Sequence, residues 1–183
     1  MKNLRTYLST ILLVAACLNL AAGEPVRISL DGEWEFRQAG EDTWRNATVP
    51  GCVHTDLLAH NAIEDPFYGR NEKSLQWIGE KDWEYRKTFY IDENVVSAVS
   101  NVWLVLEGVD TYATVSVNGL PVVETGNMFR TYRVDLKNVL RNGENEISVK
   151  FESVFKRDFP KYLDAPYKLQ AWPNNDQSDV WLS

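Results

Sequence analysis

The dipeptide Asn118-Gly119, set between "YATVSV" and "LPVVET", constrains this chain more than any other feature. Two alternating apolar and polar segments joined by Asn-Gly make a β-hairpin, because both residues tolerate the positive φ angles of a type I′ turn. Other segments carry the same signature. "RISLDGEWEFRQ" alternates Ile28, Leu30, Trp34 and Phe36 around a Gly turn, and "DWEYRKTFYI" alternates Trp83, Tyr85, Thr88 and Tyr90 less cleanly. "NVWLVLEGV" is a continuous apolar run, the pattern expected of a strand buried on both faces. "MFRTYRVDL" and "NEISVKFESV" add two strands, linked by a helical turn "LKNVL" that ends at Asn142-Gly143. Strands this short, roughly 8–12 residues apart, predict an all-β jelly-roll or sandwich. One short helix is expected near Val53–His60, after the "VPG" break, with Thr55 as N-cap.

Size and charge narrow the function. The 183 residues suffice for one well-filled core. They are too few for a (β/α)8 barrel, which takes about 250 residues. The net charge is −7, with both signs interspersed and no basic stripe. Nucleic acid is therefore not an expected partner, since phosphate binding needs clustered Lys and Arg.

The chain begins as an export signal would. Lys2 and Arg5 precede the apolar stretch "YLSTILLVAACLNLAAG", which Ser9, Thr10 and Asn19 keep too short to span a bilayer. Residues 1–23 are expected to be a signal peptide cleaved near Ala22 or Gly23, with export to the periplasm or the extracellular space. "VAAC" (Val14 to Cys17) also fits a lipobox, and lipidation of Cys17 would tether the protein to a membrane. Either way Cys52 is the one cysteine outside the signal, so no internal disulfide forms. A sandwich over residues 24–155 follows, then an irregular tail over 156–183 leading to further chain.

Catalytic signatures are missing. There is no Gly-x-Ser-x-Gly elbow, phosphate loop or zinc pattern, and no cofactor or metal is expected. Cys52 and His54 are too close in sequence to converge as a nucleophilic pair. Cys52 is expected as a small buried apolar residue and His54 as a structural group at the helix start. Carboxylates crowd Asp65, Glu72, Glu80, Asp82 and Glu84, but nothing singles out the two that glycoside hydrolysis needs.

The aromatics are more informative. "DPFYGRNEKSLQWIGEKDWEYRKTF" (Asp65 to Phe89) has no apolar period, yet carries large rings. Sugar sites pair flat rings with amides and carboxylates in a preformed cleft. Asp65, Asn71, Glu72 and Trp77 combine these on one loop and are the substrate-binding candidates. Trp83, at a strand start, is expected to cap the core, and Trp77 could equally cap the core or face a sugar. Tyr68 beside Asp65, and Trp172 beside Asn174 and Asn175, repeat the mixture.

"LDGEWEF", "VPGCVHTDLLAHNAIEDPFYGRNEKSLQWIGEKDWEYRKTF", "LEGVDTYATVSVNG" and "NMFRTYRVDLKNVLRNGENEISVKFES" together resemble the N-terminal domain of β-mannosidases of glycoside hydrolase family 2. The resemblance runs from Ile28 to Ser153, and the long block from His54 to Tyr85 points to the β-mannosidase branch. It implies a galactose-binding-like jelly roll, followed in the family by an immunoglobulin-like domain and a barrel that holds both catalytic glutamates. It also implies that a sugar-touching Trp-Asp-Trp-Gly motif follows a stretch like Asn175 to Gln177. Neither the barrel nor that motif is present here. The expected role is then a non-catalytic domain of an exported exo-β-mannosidase, partnered by β-mannosides or other oligosaccharides and by further domains of the same chain. The alternatives are a free-standing carbohydrate-binding module, or a structural domain that orients a catalytic partner.

Overall fold

The computed structural model describes residues 26–92 and 95–167. The expected signal, Cys17 and Trp172 lie outside those residues. Among the described residues no helix is long and apolar enough to cross a membrane.

The chain runs β1 (Gly32–Gln38), β2 (Arg45–Val49), α1 (Val53–Ala59), the single turns α2 (Asn71–Ser74) and α3 (Trp77–Glu80), and β3 (Trp83–Ile91). It continues through a turn α4 (Val95–Ala98), β4 (Trp103–Leu106), β5 (Ala113–Val117), β6 (Leu120–Thr125), β7 (Tyr132–Asp135), β8 (Gly143–Phe151) and α5 (Val154–Asp164). Six strands form one antiparallel sheet in the order β2-β1-β3-β8-β5-β6, and β4 pairs with β7 in a second. The fold is an all-β sandwich, with its core between the two sheets.

Strand parity builds that core. Trp34 and Phe36 on β1, Trp83 and Tyr85 on β3, Val115 and Val117 on β5, and Ile147 and Val149 on β8 all point inward. Phe36 is the hub: its ring lies 5.6 Å from Tyr85, 5.9 Å from His60 and 6.1 Å from Trp83. The β5–β6 hairpin turns at Asn118 (φ 52°) and Gly119 (φ 78°), as the dipeptide predicts. The Asn118 amide donates to Val139 O and to Oδ1 of Asn145, which is itself 1% exposed and donates to Arg141 O and Gly143 O. These bonds staple that end of the sandwich.

Several local expectations are corrected. On β3 the inward series is Trp83, Tyr85, Lys87, Phe89 and Ile91; Thr88 and Tyr90 face solvent. Lys87 is tolerated there because its ammonium donates to Asp31 O and Glu33 O. β4 is not buried on both faces, since Trp103 and Val105 project outward while Leu104 is in the core. The N-cap of α1 is Cys52, and Thr55 is the third helical residue, whose hydroxyl accepts from the Cys52 N–H. Cys52 is exposed rather than buried, as its position at a capped helix entrance requires.

Nor is the tail irregular throughout, because residues 154–164 are helical. The Ser153 hydroxyl accepts from the Lys156 N–H and caps α5, and Phe155, Phe159 and Tyr162 fall at helical spacing. Residues 168–183 lie outside the described set.

Candidate functional site

Strand register defines one end of the sandwich. Gln38, Trp83, Phe151, Ala113 and Thr125 stand side by side across the large sheet. The segments just beyond them therefore share that end: residues 65–82, 107–112, 126–131 and α5. Hydrogen bonds lock them together. Asp82 O accepts from the Ala39 N–H, and its carboxylate accepts from the Ser153 N–H at 2.9 Å. The Ser153 hydroxyl donates to Gly79 O at 2.6 Å, and the Glu152 N–H donates to Tyr112 O. The Tyr112 hydroxyl donates to Asp158, and the Arg157 guanidinium lies 4.3 Å over the Tyr112 ring. α5 is clamped to this end rather than trailing from it.

Charges are tied down as well. Glu35 pairs with Arg86, Glu84 with Arg37, Asp82 with Lys156, Glu152 with Arg157, and Asp158 with Lys161. Partial burial works against the Asp82 carboxylate. The Ser153 N–H and the Lys156 ammonium outweigh it, so its pKa lies below the ordinary value.

The four candidates occupy this end but are not equivalent. Asp65 is exposed. Its carboxylate accepts from the Phe67 N–H at 2.9 Å, forming the side-chain turn that Asp favours, and its carbonyl accepts from the Asn71 amide at 2.9 Å. Asp65 and Asn71 are thus brought together and build the loop. Glu72 follows in α2, exposed, and its carbonyl accepts from the Gln76 amide. Trp77 is turned the other way. It is half-buried on the core, 6.2 Å from Trp83, whose indole N–H donates to Ile78 O. Trp83 is buried, as expected for a core cap.

Other rings at this end are far more open. Phe67 is 97% exposed, Tyr68 77%, and Phe129 90%. Sequence reasoning passed over Phe129, which the loop of residues 126–131 holds out beside Met128. The Tyr132 hydroxyl accepts from the N–H groups of Gly126 and Asn127, and the Asn127 side chain accepts from the Phe129 N–H. The signal was legible as "GNMFR": two adjacent apolar residues inside a Gly-Asn turn, out of phase with the strand that follows.

Of the two histidines, His60 has structural surroundings. His60 packs on Phe36, and its Nε2 lies 2.7 Å from Asn46 O, while His54 is exposed. An open cleft of about 610 Å³ on the sandwich flank, lined in part by Glu33, Asn46, Asp56, His60 and Arg86, contains none of the four candidates. This geometry can present rings, amides and carboxylates to a ligand or to a neighbouring domain.

Comparison with known proteins places this architecture. The model of the glycosyl hydrolase 2 galactose-binding domain-like family matches residues 34–182. The chain belongs to that family. It is 40% identical over 157 residues to β-mannosidase B of Thermothelomyces thermophilus, covering 84% of this chain and 18% of that protein. With the β-mannosidase of Bos taurus it shares 39% over 146 residues, covering 80% and 16%. The crystal structure of β-D-mannosidase from Dictyoglomus thermophilum superposes with a TM-score of 0.75 at 40% identity, covering 80% of this chain and 18% of that one. The chain therefore spans less than one fifth of the length of these relatives.

Proposed function

We propose that this chain is the non-catalytic sugar-binding-like domain of an exported exo-β-mannosidase that removes terminal β-linked mannose, and that it is inert without the remainder of that enzyme. The observation that carries this reading is the identity of about two residues in five with β-mannosidases roughly five times as long as this chain. Arithmetic supports inertness: 183 residues less a signal of about 23 leave no room for both a sandwich and a barrel. The signal-like residues 1–23 support export, to the periplasm or beyond the cell, with a lipid anchor if Cys17 is processed.

Within the parent enzyme, the end bearing Asp65, Asn71, Glu72 and Trp77 borders the sugar site and lies against the catalytic domain. Exposed Phe67 and Tyr68 support this placement, because clustered open rings mark an interaction surface. Asp65 and Asn71 act by fixing the loop, Glu72 offers an exposed carboxylate, and Trp77 anchors the loop to the core.

Kinetics of the parent enzyme test this. Alanine at all four positions is expected to lower kcat/KM on an aryl β-D-mannoside or to lower thermal stability. Trp77→Ala should cost more than Trp44→Ala, whose ring lies under Arg37 and Arg86 on the large sheet's outer face. If the fourfold variant matches the wild type in both respects, the loop is mere surface.

A further inference from the structure

The two outer faces of the sandwich differ in kind. On the six-stranded sheet, β1 presents Glu35 and Arg37, β3 presents Glu84 and Arg86, and β8 presents Ser148 and Lys150. Cross-strand ion pairs join Arg37 to Glu84 and Arg86 to Glu35, and both guanidiniums cover Trp44. That face is made for water. The two-stranded sheet is not. Its outward positions on β4 are Trp103, 57% exposed, and Val105, 47% exposed. Opposite them on β7 stand Asp135 and Arg133, both exposed.

The edges of this sheet are open too. Among the described residues, β4 and β7 pair only with each other, leaving an unpaired backbone edge on each side. Two strands alone are marginal in water, and open edges beside apolar side chains invite a partner. Burying one Trp removes about 150–250 Å² from water, and Trp103 leaves more than half of its surface wet.

We propose that the outer face of β4–β7 docks a segment of the longer polypeptide to which this domain belongs, with Trp103 and Val105 as apolar anchor and Arg133 and Asp135 as polar rim. This face is distinct from the loop end. The relatives retain more than four fifths of their length beyond the matched region, which supplies the occupant. A second copy of the chain fits less well. A stable homodimer buries about 800 Å² per partner, far more than a strip of two apolar side chains offers. A tethered neighbour acts at high effective concentration and needs less contact. The inference rests on the parent being longer, and not on the sugar it hydrolyses.

Thiol labelling tests it without reference to activity. In a Cys52→Ser background, Val105→Cys and, separately, Trp103→Cys would be reacted with a maleimide in the purified chain and in the full-length parent. Both sites are expected to react freely in the chain and about ten-fold more slowly in the parent, where labelling requires the covering segment to open. Thr88→Cys, exposed on the large sheet, should react alike in both. Equal rates at positions 103 and 105 in the two proteins, or a slowing of position 88 in the parent as large as theirs, overturn the proposal. So does protection in the chain alone accompanied by a doubled mass, which makes a second copy the occupant.

Discussion

Phe36→Ala is expected to cost the domain about 3–5 kcal/mol, the range for removing a fully buried Phe side chain. Phe36 is 1% exposed and touches three other rings, contributed by β3 and the end of α1. These belong to separate elements that are fixed by their own hydrogen bonds, so they cannot all move in to fill the space. A domain of this kind is stable by about 5–15 kcal/mol in total, so the loss is a large fraction. Urea denaturation should show a lower midpoint with the slope nearly unchanged. Tyr90→Ala, removing a ring of similar size that is 64% exposed, should shift stability by no more than about 0.5 kcal/mol. If the two variants prove equally stable, Phe36 is not the hub of the core.

Asp56→Ala is the second large effect, at about 2–5 kcal/mol. The Asp56 side chain is buried beneath α1 and joins three elements. One carboxylate oxygen accepts from the Tyr85 hydroxyl at 2.7 Å, and the other accepts from the Thr48 N–H at 3.1 Å. Its removal leaves the buried Tyr85 hydroxyl and the partly buried Thr48 N–H without a partner, and an unpaired buried donor costs about 1–3 kcal/mol. The pair has a pH signature as well. Burial, and then the Asp56 carboxylate, push the Tyr85 phenol pKa far above its ordinary value. An unfolded tyrosine ionises near pH 10, whereas folded Tyr85 keeps its proton. Its contribution is complete below about pH 10 and is lost progressively above it. Wild-type urea midpoints should therefore fall on going from pH 8 to about pH 11, and Tyr85→Phe should flatten that decline. An identical pH profile in the two proteins contradicts this account of the pair.

How much of this was legible in the sequence differs by element. The β5–β6 hairpin was readable because Asn118-Gly119 encodes its own backbone geometry, with no tertiary help needed. Trp34 and Phe36 were readable because β1 has one wet face and one dry face, so parity and polarity agree. β4 was misread for the opposite reason. Trp103 and Val105 are apolar and outward, so a run that alternates in space does not alternate in chemistry. β2 was invisible because only Ala47 of its five residues is fully buried. α5 was hidden by Pro160, although Phe155, Phe159 and Tyr162 already had helical spacing and Ser153 was a good cap.

At the candidate site, composition located the loop, while direction had to come from packing. Asp65 and Asn71 are joined through a carbonyl six residues away, which no pattern of residue types encodes. Trp77 faces inward because Trp83 offers it a ring at 6.2 Å. That partner was visible only as another aromatic in the same segment.

Hydrolysis of an aryl β-D-mannoside by the purified chain, measured beside its full-length parent, tests the central claim most directly. On the proposed reading the domain contributes packing and a loop beside the sugar site, while the nucleophile and the general acid come from the remainder of the parent enzyme. The parent is expected to turn over the substrate, while the chain, folded by circular dichroism and free of contaminating enzyme, releases no aryl alcohol above the buffer rate. Turnover by the chain itself, abolished by a substitution within residues 26–167, would contradict the account.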